Sequence, residues 1–387
     1  MNTRPALLLL ALFSTSAQAD ERWKISMRTL ENSLQNLLVE TSSAKRFAAA
    51  VDKETYQKEI SRFVTTTAEI LDRKDSSGDK DPSIGLIGTL FKEEAQHLKW
   101  ASQGKNKEYA RHLVLSLQQY CVACHTRSPG GIEFSSRSGA EKLDGLEPTE
   151  KAAYLVSTRQ FDLALKELQT QIASPKLVTE DLDQWERASR LALSVSIRVK
   201  NDPKATANLL KEMLGNPNLP DYLKAQIESW NQSIVGWNPT AMPKTEKSLN
   251  SEANKLINEA KKKQEYSMDP SAQVYLLRAS ALLHEQLQKY PKGKLSTSAL
   301  YQLGLAYETL ESVGLYELKD YYYLLCMREA PHSTLGRSCY RQYERGVYEG
   351  YTGSGGTHIP TELVARLKEL RELTSPEKKS GPSKPNL

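Results

Sequence analysis

Apolar residues recur along most of this chain at intervals of three and four, the signature of amphipathic helices. The stretch ERWKISMRTLENSLQNLLVE carries Trp23, Met27, Leu30, Leu34 and Leu37 on one stripe. A second helix is predicted from about Lys53 to Leu71, with Tyr56, Ile60, Phe63, Val64 and Ile70 inward. The polar run DRKDSSGDKDP breaks the chain, and further helices are predicted over about Ser83–Ala101 and Lys107–Cys124. Four such helices with short links suit an up-down-up-down four-helix bundle over residues 20–130. The Ser- and Gly-rich segment 131–146 reads as a linker that wraps or covers an edge of whatever the bundle holds.

Helical pattern resumes and continues almost to the end, so the expected fold class is all-α. Residues 147–238 read as repeat-like hairpins, with Ala164, Leu168 and Pro175 in the rhythm of a repeat's second helix. Trp185, Trp230 and Trp237 read as core anchors. After the polar break GWNPTAMPKTEKS, residues 245–373 form a second helical block. In it Leu303-Gly304-x-x-Tyr307 resembles the L-G-x-x-Y portion of a tetratricopeptide repeat, with Leu300 where that motif often has Trp. Gly304 would let two helices approach closely. An α-helical solenoid of this kind usually binds protein on an extended face, which Tyr321–Tyr323 could line in part; one tyrosine of that run must point into the core. The tail 374–387 is polar and reads as disordered.

The N-terminus changes the chemistry open to the cysteines. Arg4, the apolar run Ala6–Phe13 and Ala17-Gln18-Ala19 make a secretory signal peptide cleaved after Ala19. The apolar run is too short for a stable transmembrane helix. The expectation is an exported, periplasmic protein beginning at Asp20, with no membrane anchor in the mature chain. Loss of Arg4 lowers the formal charge from +5 to +4. That mild excess gives no case for nucleic acid. At 39% apolar and 26% charged, the 387-residue chain is ordinary globular material.

Two of the four cysteines and one of the six histidines fall within five residues, in Cys121-Val122-Ala123-Cys124-His125. C-x-x-C-H is the attachment signature of a c-type haem. Two thiols three positions apart reach the two vinyl groups of one porphyrin, and the next residue sets an imidazole under the iron. A redox dithiol would open a helix after a strand, whereas here the motif ends one. Zinc would need further donors nearby, and Cys326 and Cys339 lie far along the chain.

The bundle topology sets the last turn of its fourth helix beside the start of its first, where Met27 stands on the apolar stripe. A thioether there could take the open face of an iron held by His125; a core methionine is the alternative. His112 lies thirteen residues before His125 on one helix, roughly 20 Å away, and His97 folds to that same far end.

On these residues the chain resembles the class II cytochromes, four-helix-bundle haem proteins with C-x-x-C-H near the end of the fourth helix. Their low-spin members use a methionine near the start of helix one, the place of Met27 in SMRTLENSL; the others leave the iron five-coordinate. The resemblance covers about residues 21–130. It implies one covalent haem c with His125 and Met27 as axial ligands, and electron transfer with a protein redox partner or periplasmic complex docked by the helical repeats. A five-coordinate gas-binding or sensing protein and a scaffold with a structural haem are the other readings. Catalysis is not expected, since no nucleophile with a nearby base and no paired carboxylates stand out. Outside the cytoplasm, Cys326 and Cys339, thirteen apart across the Pro331 turn, are expected to form a disulfide, worth about 3 kcal/mol by loop entropy. His332 reads as a turn residue without a visible partner, and His358 as a loop residue before a last helix over Pro360–Leu373.

Overall fold

A computed structural model describes residues 7–71, 81–127, 142–239, 243–266, 268–310 and 318–377. The protein is all-α: seventeen α-helices and one two-residue-per-strand hairpin among the described residues. It divides into two compact units, the first taking in the described residues up to 239 and the second those from 243 on.

The first unit opens with α1 (Leu7–Val39), which runs into a 3₁₀ turn at Glu40–Ser42. Helix α2 (Ala44–Val51) is not among the helices that periodicity predicts; Ser43 caps it by accepting from the Arg46 amide. Then come α3 (Glu54–Leu71), α4 (Pro82–Ser102) and α5 (Lys107–His125), each within a residue or so of its predicted span. Helix α1 packs on α3, α3 on α4, and α4 on α5. They alternate in direction. Tyr56 at the head of α3 donates to Leu37 O near the end of α1 (3.0 Å), and Ser116 of α5 donates to Glu94 of α4 (3.1 Å). Leu34, Leu37, Ile60, Phe63, Ile87, Leu98, Val114 and Leu117 form the core between them.

Of the expected linker, 131–141 lies outside the described residues, as do 128–130 and the polar run 72–80. From residue 142 the chain is packed: Leu143 and Leu146 are buried. Proline then starts α6 (Pro148–Ser157), and α7 (Phe161–Ile172), the short α8 (Pro175–Glu180) and α9 (Leu182–Ser194) come after it. Pro175 therefore opens a helix, where its missing amide costs nothing. Helix α9 widens into a π-turn at Val195–Lys200, ended by left-handed Asn201, before α10 (Pro203–Leu214) and α11 (Asp221–Gln232). Trp185 and Trp230 are each 1% exposed, and Trp185 donates its indole N–H to Ile172 O; Trp237 is half-buried. Helix α6 also packs against α5, so this region and the N-terminal helices belong to one unit.

The second unit comprises α12 (Glu246–Lys263), α13 (Gln273–Lys289), α14 (Ser296–Leu310), α15 (Leu318–Glu329), α16 (Thr334–Gly350) and α17 (Thr361–Thr374). Each packs on the next, and α12 also meets α14, as α14 meets α16 and α15 meets α17. A Cβ on Gly304 would enter the ring of Tyr323. Tyr322 and Tyr323 are both core, 0% and 1% exposed, and Tyr321 is half-buried. Cys326 and Cys339, fully buried on α15 and α16, stand at disulfide distance with Cα atoms 6.2 Å apart. His332 does have partners: left-handed at φ 55°, it donates its amide to Leu373 O and holds Ser375 O through Nδ1. Thr374, expected at the head of a disordered tail, is instead the last residue of α17; residues 378–387 lie outside the described chain. His358 comes after an exposed hairpin pairing Thr352 with Thr357, so the segment is not irregular loop.

Candidate cofactor site

Helix α5 presents Cys121, Cys124 and His125 on its last turn and a half. Spacing of three residues puts the two cysteines on one face, and both are half-buried thiols. Burial pushes the Cys121 thiol up to about 12, and the neighbouring Cys124 adds to the shift. Both causes hold Cys121 protonated near neutral pH.

The turn is tied down at its far side. Arg127, just past the helix, donates through Nε to Ala123 O (2.9 Å), inside the motif itself. Its Nη1 donates to Ser83 Oγ and lies 3.7 Å from the Asp81 carboxylate, with Arg127 3% and Asp81 8% exposed. Asp81 is the N-cap of α4, accepting from the Ser83 amide. The chain after the motif is thus locked to the start of the neighbouring helix.

The orientation of His125 comes from α6, outside helices α1, α3, α4 and α5. Its Nδ1 stands 2.6 Å from Ser157 O. A carbonyl can only accept, so Nδ1 carries the proton and Nε2 keeps its lone pair. Withdrawal from solvent, with the charge of Arg159 second, pushes His125 down to about 3; the Ser157 carbonyl opposes this. The imidazole is therefore neutral at physiological pH, as a metal ligand must be. Ser157 Oγ also donates to Gln118 O (3.3 Å), fastening the α6 terminus to α5 a second time.

Met27 stands on a different element, half-buried on α1. Arg111 Nε donates to Thr41 O (2.8 Å), tying the start of α5 to the 3₁₀ turn that follows α1. Met27 precedes Thr41 by fourteen residues and His125 lies fourteen beyond Arg111. At 1.5 Å per residue each stands about 21 Å along its own helix from that contact. His97 is exposed near the other end of α4, and His112 is exposed on α5.

These residues fit a c-type haem in their chemistry: a thiol pair at vinyl spacing, and an imidazole whose Nε2 bears the lone pair. A carbonyl on the other ring nitrogen is what such ligands normally have. Among the described residues no three His, Cys, Asp or Glu side chains could together hold a metal ion, the set that a structural zinc would require. Ser157, Arg159, Asp81 and Arg127 were not singled out from sequence. Only Asp81 carried a local signal, as the polar residue before Pro82 at a helix start.

Comparison with family models, with curated proteins and with solved structures finds no match to this chain. No helix among the described residues is long and apolar enough to cross a membrane.

Proposed function

We propose that this chain is an exported monohaem c-type cytochrome that passes single electrons to or from a protein partner. The observation that carries the reading is the His125–Ser157 bond directly after a cysteine pair at i, i+3. Cys121 and Cys124 would hold a porphyrin as thioethers, and His125 would ligate its iron through Nε2. Met27 on α1 would supply a thioether as the second ligand. When bound, the haem supplies a one-electron iron centre. Ligation by Met27 and His125 together would favour the reduced state, which fits an electron carrier.

The alternating packing of α1, α3, α4 and α5 supports a four-helix bundle of the class II cytochrome kind. In the second unit, contacts between consecutive and next-but-one helices support a tetratricopeptide-like solenoid, the part that docks the partner. The signal-like N-terminus and the buried cysteine pair both suit the periplasm.

Co-expression with a haem-attachment system and intact-mass analysis tests this. One haem bound through two thioethers is expected, lost in Cys121→Ala/Cys124→Ala. A chain exported without covalent haem would refute the reading.

A further inference from the structure

The residue two beyond Ser157 is Arg159, and its backbone is left-handed at φ 59°. Helix α6 ends there in a turn of Schellman type, closed by Gln160 N–H to Leu155 O (2.8 Å) and Arg159 N–H to Val156 O (3.0 Å). Glycine is the usual occupant of that position because it bears no Cβ penalty. The turn is over-determined: buried Thr158 donates to Tyr154 O, and buried Gln160 donates to Thr158 Oγ1 (2.9 Å). Such a frame can hold a side chain where the backbone alone would not choose one.

What the frame presents is a guanidinium beside the motif. Two residues span at most about 7 Å, and Ser157 O is itself in hydrogen-bond contact with His125. Arg159 is half-buried, and its charge acts on both His125 and Cys124.

We infer that Arg159 is a positioning residue of the haem site, a fixed cation that sets the reduction potential from the α6–α7 turn. The inference rests on the haem reading. A bound haem would carry one more positive charge when oxidised than when reduced. A half-buried cation nearby would disfavour the oxidised form and raise the potential. The region after the bundle is then part of the redox centre, and the linkage runs through three consecutive residues: a carbonyl that orients the ligand, a threonine that locks the turn, and a charge that tunes the iron.

The test uses the full, haem-loaded chain and spectroelectrochemical titration of Arg159→Gln, Arg159→Gly and Arg159→Lys. Arg159→Gly suits the left-handed backbone, so it separates lost charge from a damaged turn. At an effective dielectric constant near 20, loss of a neighbouring charge is expected to change the ferrous/ferric constant by on the order of tenfold, or about 59 mV. Arg159→Gln and Arg159→Gly are each expected to lower the potential by that order, while Arg159→Lys retains most of it. Unchanged potentials in the Gln and Gly variants, or a Lys variant that falls as far as Gln, would overturn the inference and leave the haem reading standing. A full-length chain without covalent haem would strike the haem reading, and the inference with it.

Discussion

Replacing Arg127 by methionine removes one partner of a buried ion pair and keeps most of the side-chain volume. With Arg127 3% and Asp81 8% exposed, water cannot compensate the carboxylate left behind. Ser83 Oγ loses its guanidinium donor and Ala123 O loses the Nε–H bond. Breaking a buried pair from one side costs about 3–5 kcal/mol. For a unit of this size that lowers the melting temperature by about 10 °C, at 2–4 °C per kcal/mol. Asp81→Asn removes the charge and keeps a competent N-cap for α4. The double variant Asp81→Asn/Arg127→Met should therefore regain at least about 1 kcal/mol over Arg127→Met alone, a coupling outside ordinary additivity. All five tryptophans precede residue 243, so tryptophan fluorescence during urea unfolding reports on the first unit. A cost for Arg127→Met below about 1 kcal/mol, or strict additivity with Asp81→Asn, would refute the claim that this pair locks the motif-bearing turn.

Packing and charge give two further expected outcomes. Gly304→Ala gains about 1 kcal/mol of helix propensity but drives a Cβ into the Tyr323 ring, a ring fixed by its hydroxyl donating to Glu308 (2.6 Å). A net loss of about 1–2 kcal/mol is expected, turning into a gain on a Tyr323→Leu background; chemical denaturation of the four variants checks the sign. Glu31 on α1 is raised above its ordinary 4.5 by burial, with Arg28 opposing, and its Oε1 has no hydrogen-bond partner. A raised folded pKa favours the protonated fold, so stability is full below 4.5 and is lost as pH rises through the folded value. Glu31→Gln should therefore stabilise the protein at pH 7 and make no difference at pH 4, and denaturation at the two pH values decides it.

Features that depend on neighbours along the chain were legible in the sequence. Helices α4 and α5 begin and end within about a residue of where periodicity places them, and the C-x-x-C-H motif is local by nature. The eight-residue α2 escaped because AKRFAAAV is too short to display a period. Contacts that orient the site were not legible, because they join residues far apart. Ser157 is 32 residues from His125, and nothing in STRQ marks a carbonyl that will meet an imidazole. His284 is similar: it is 3% exposed and meets the Tyr307 hydroxyl at 3.0 Å across 23 residues. His332 found its partners 41 and 43 positions on, where α17 returns. Tertiary packing decides such pairs, and no periodicity encodes them.

The most direct test of the central claim is optical and EPR spectroscopy of the exported, haem-loaded protein beside Met27→Ala. A low-spin ferric iron with a methionine-to-iron charge-transfer band is expected, with loss of that band in the variant. A high-spin iron in the native protein, unchanged by the substitution, would contradict Met27 as the second ligand and turn the reading toward a five-coordinate, gas-binding haem.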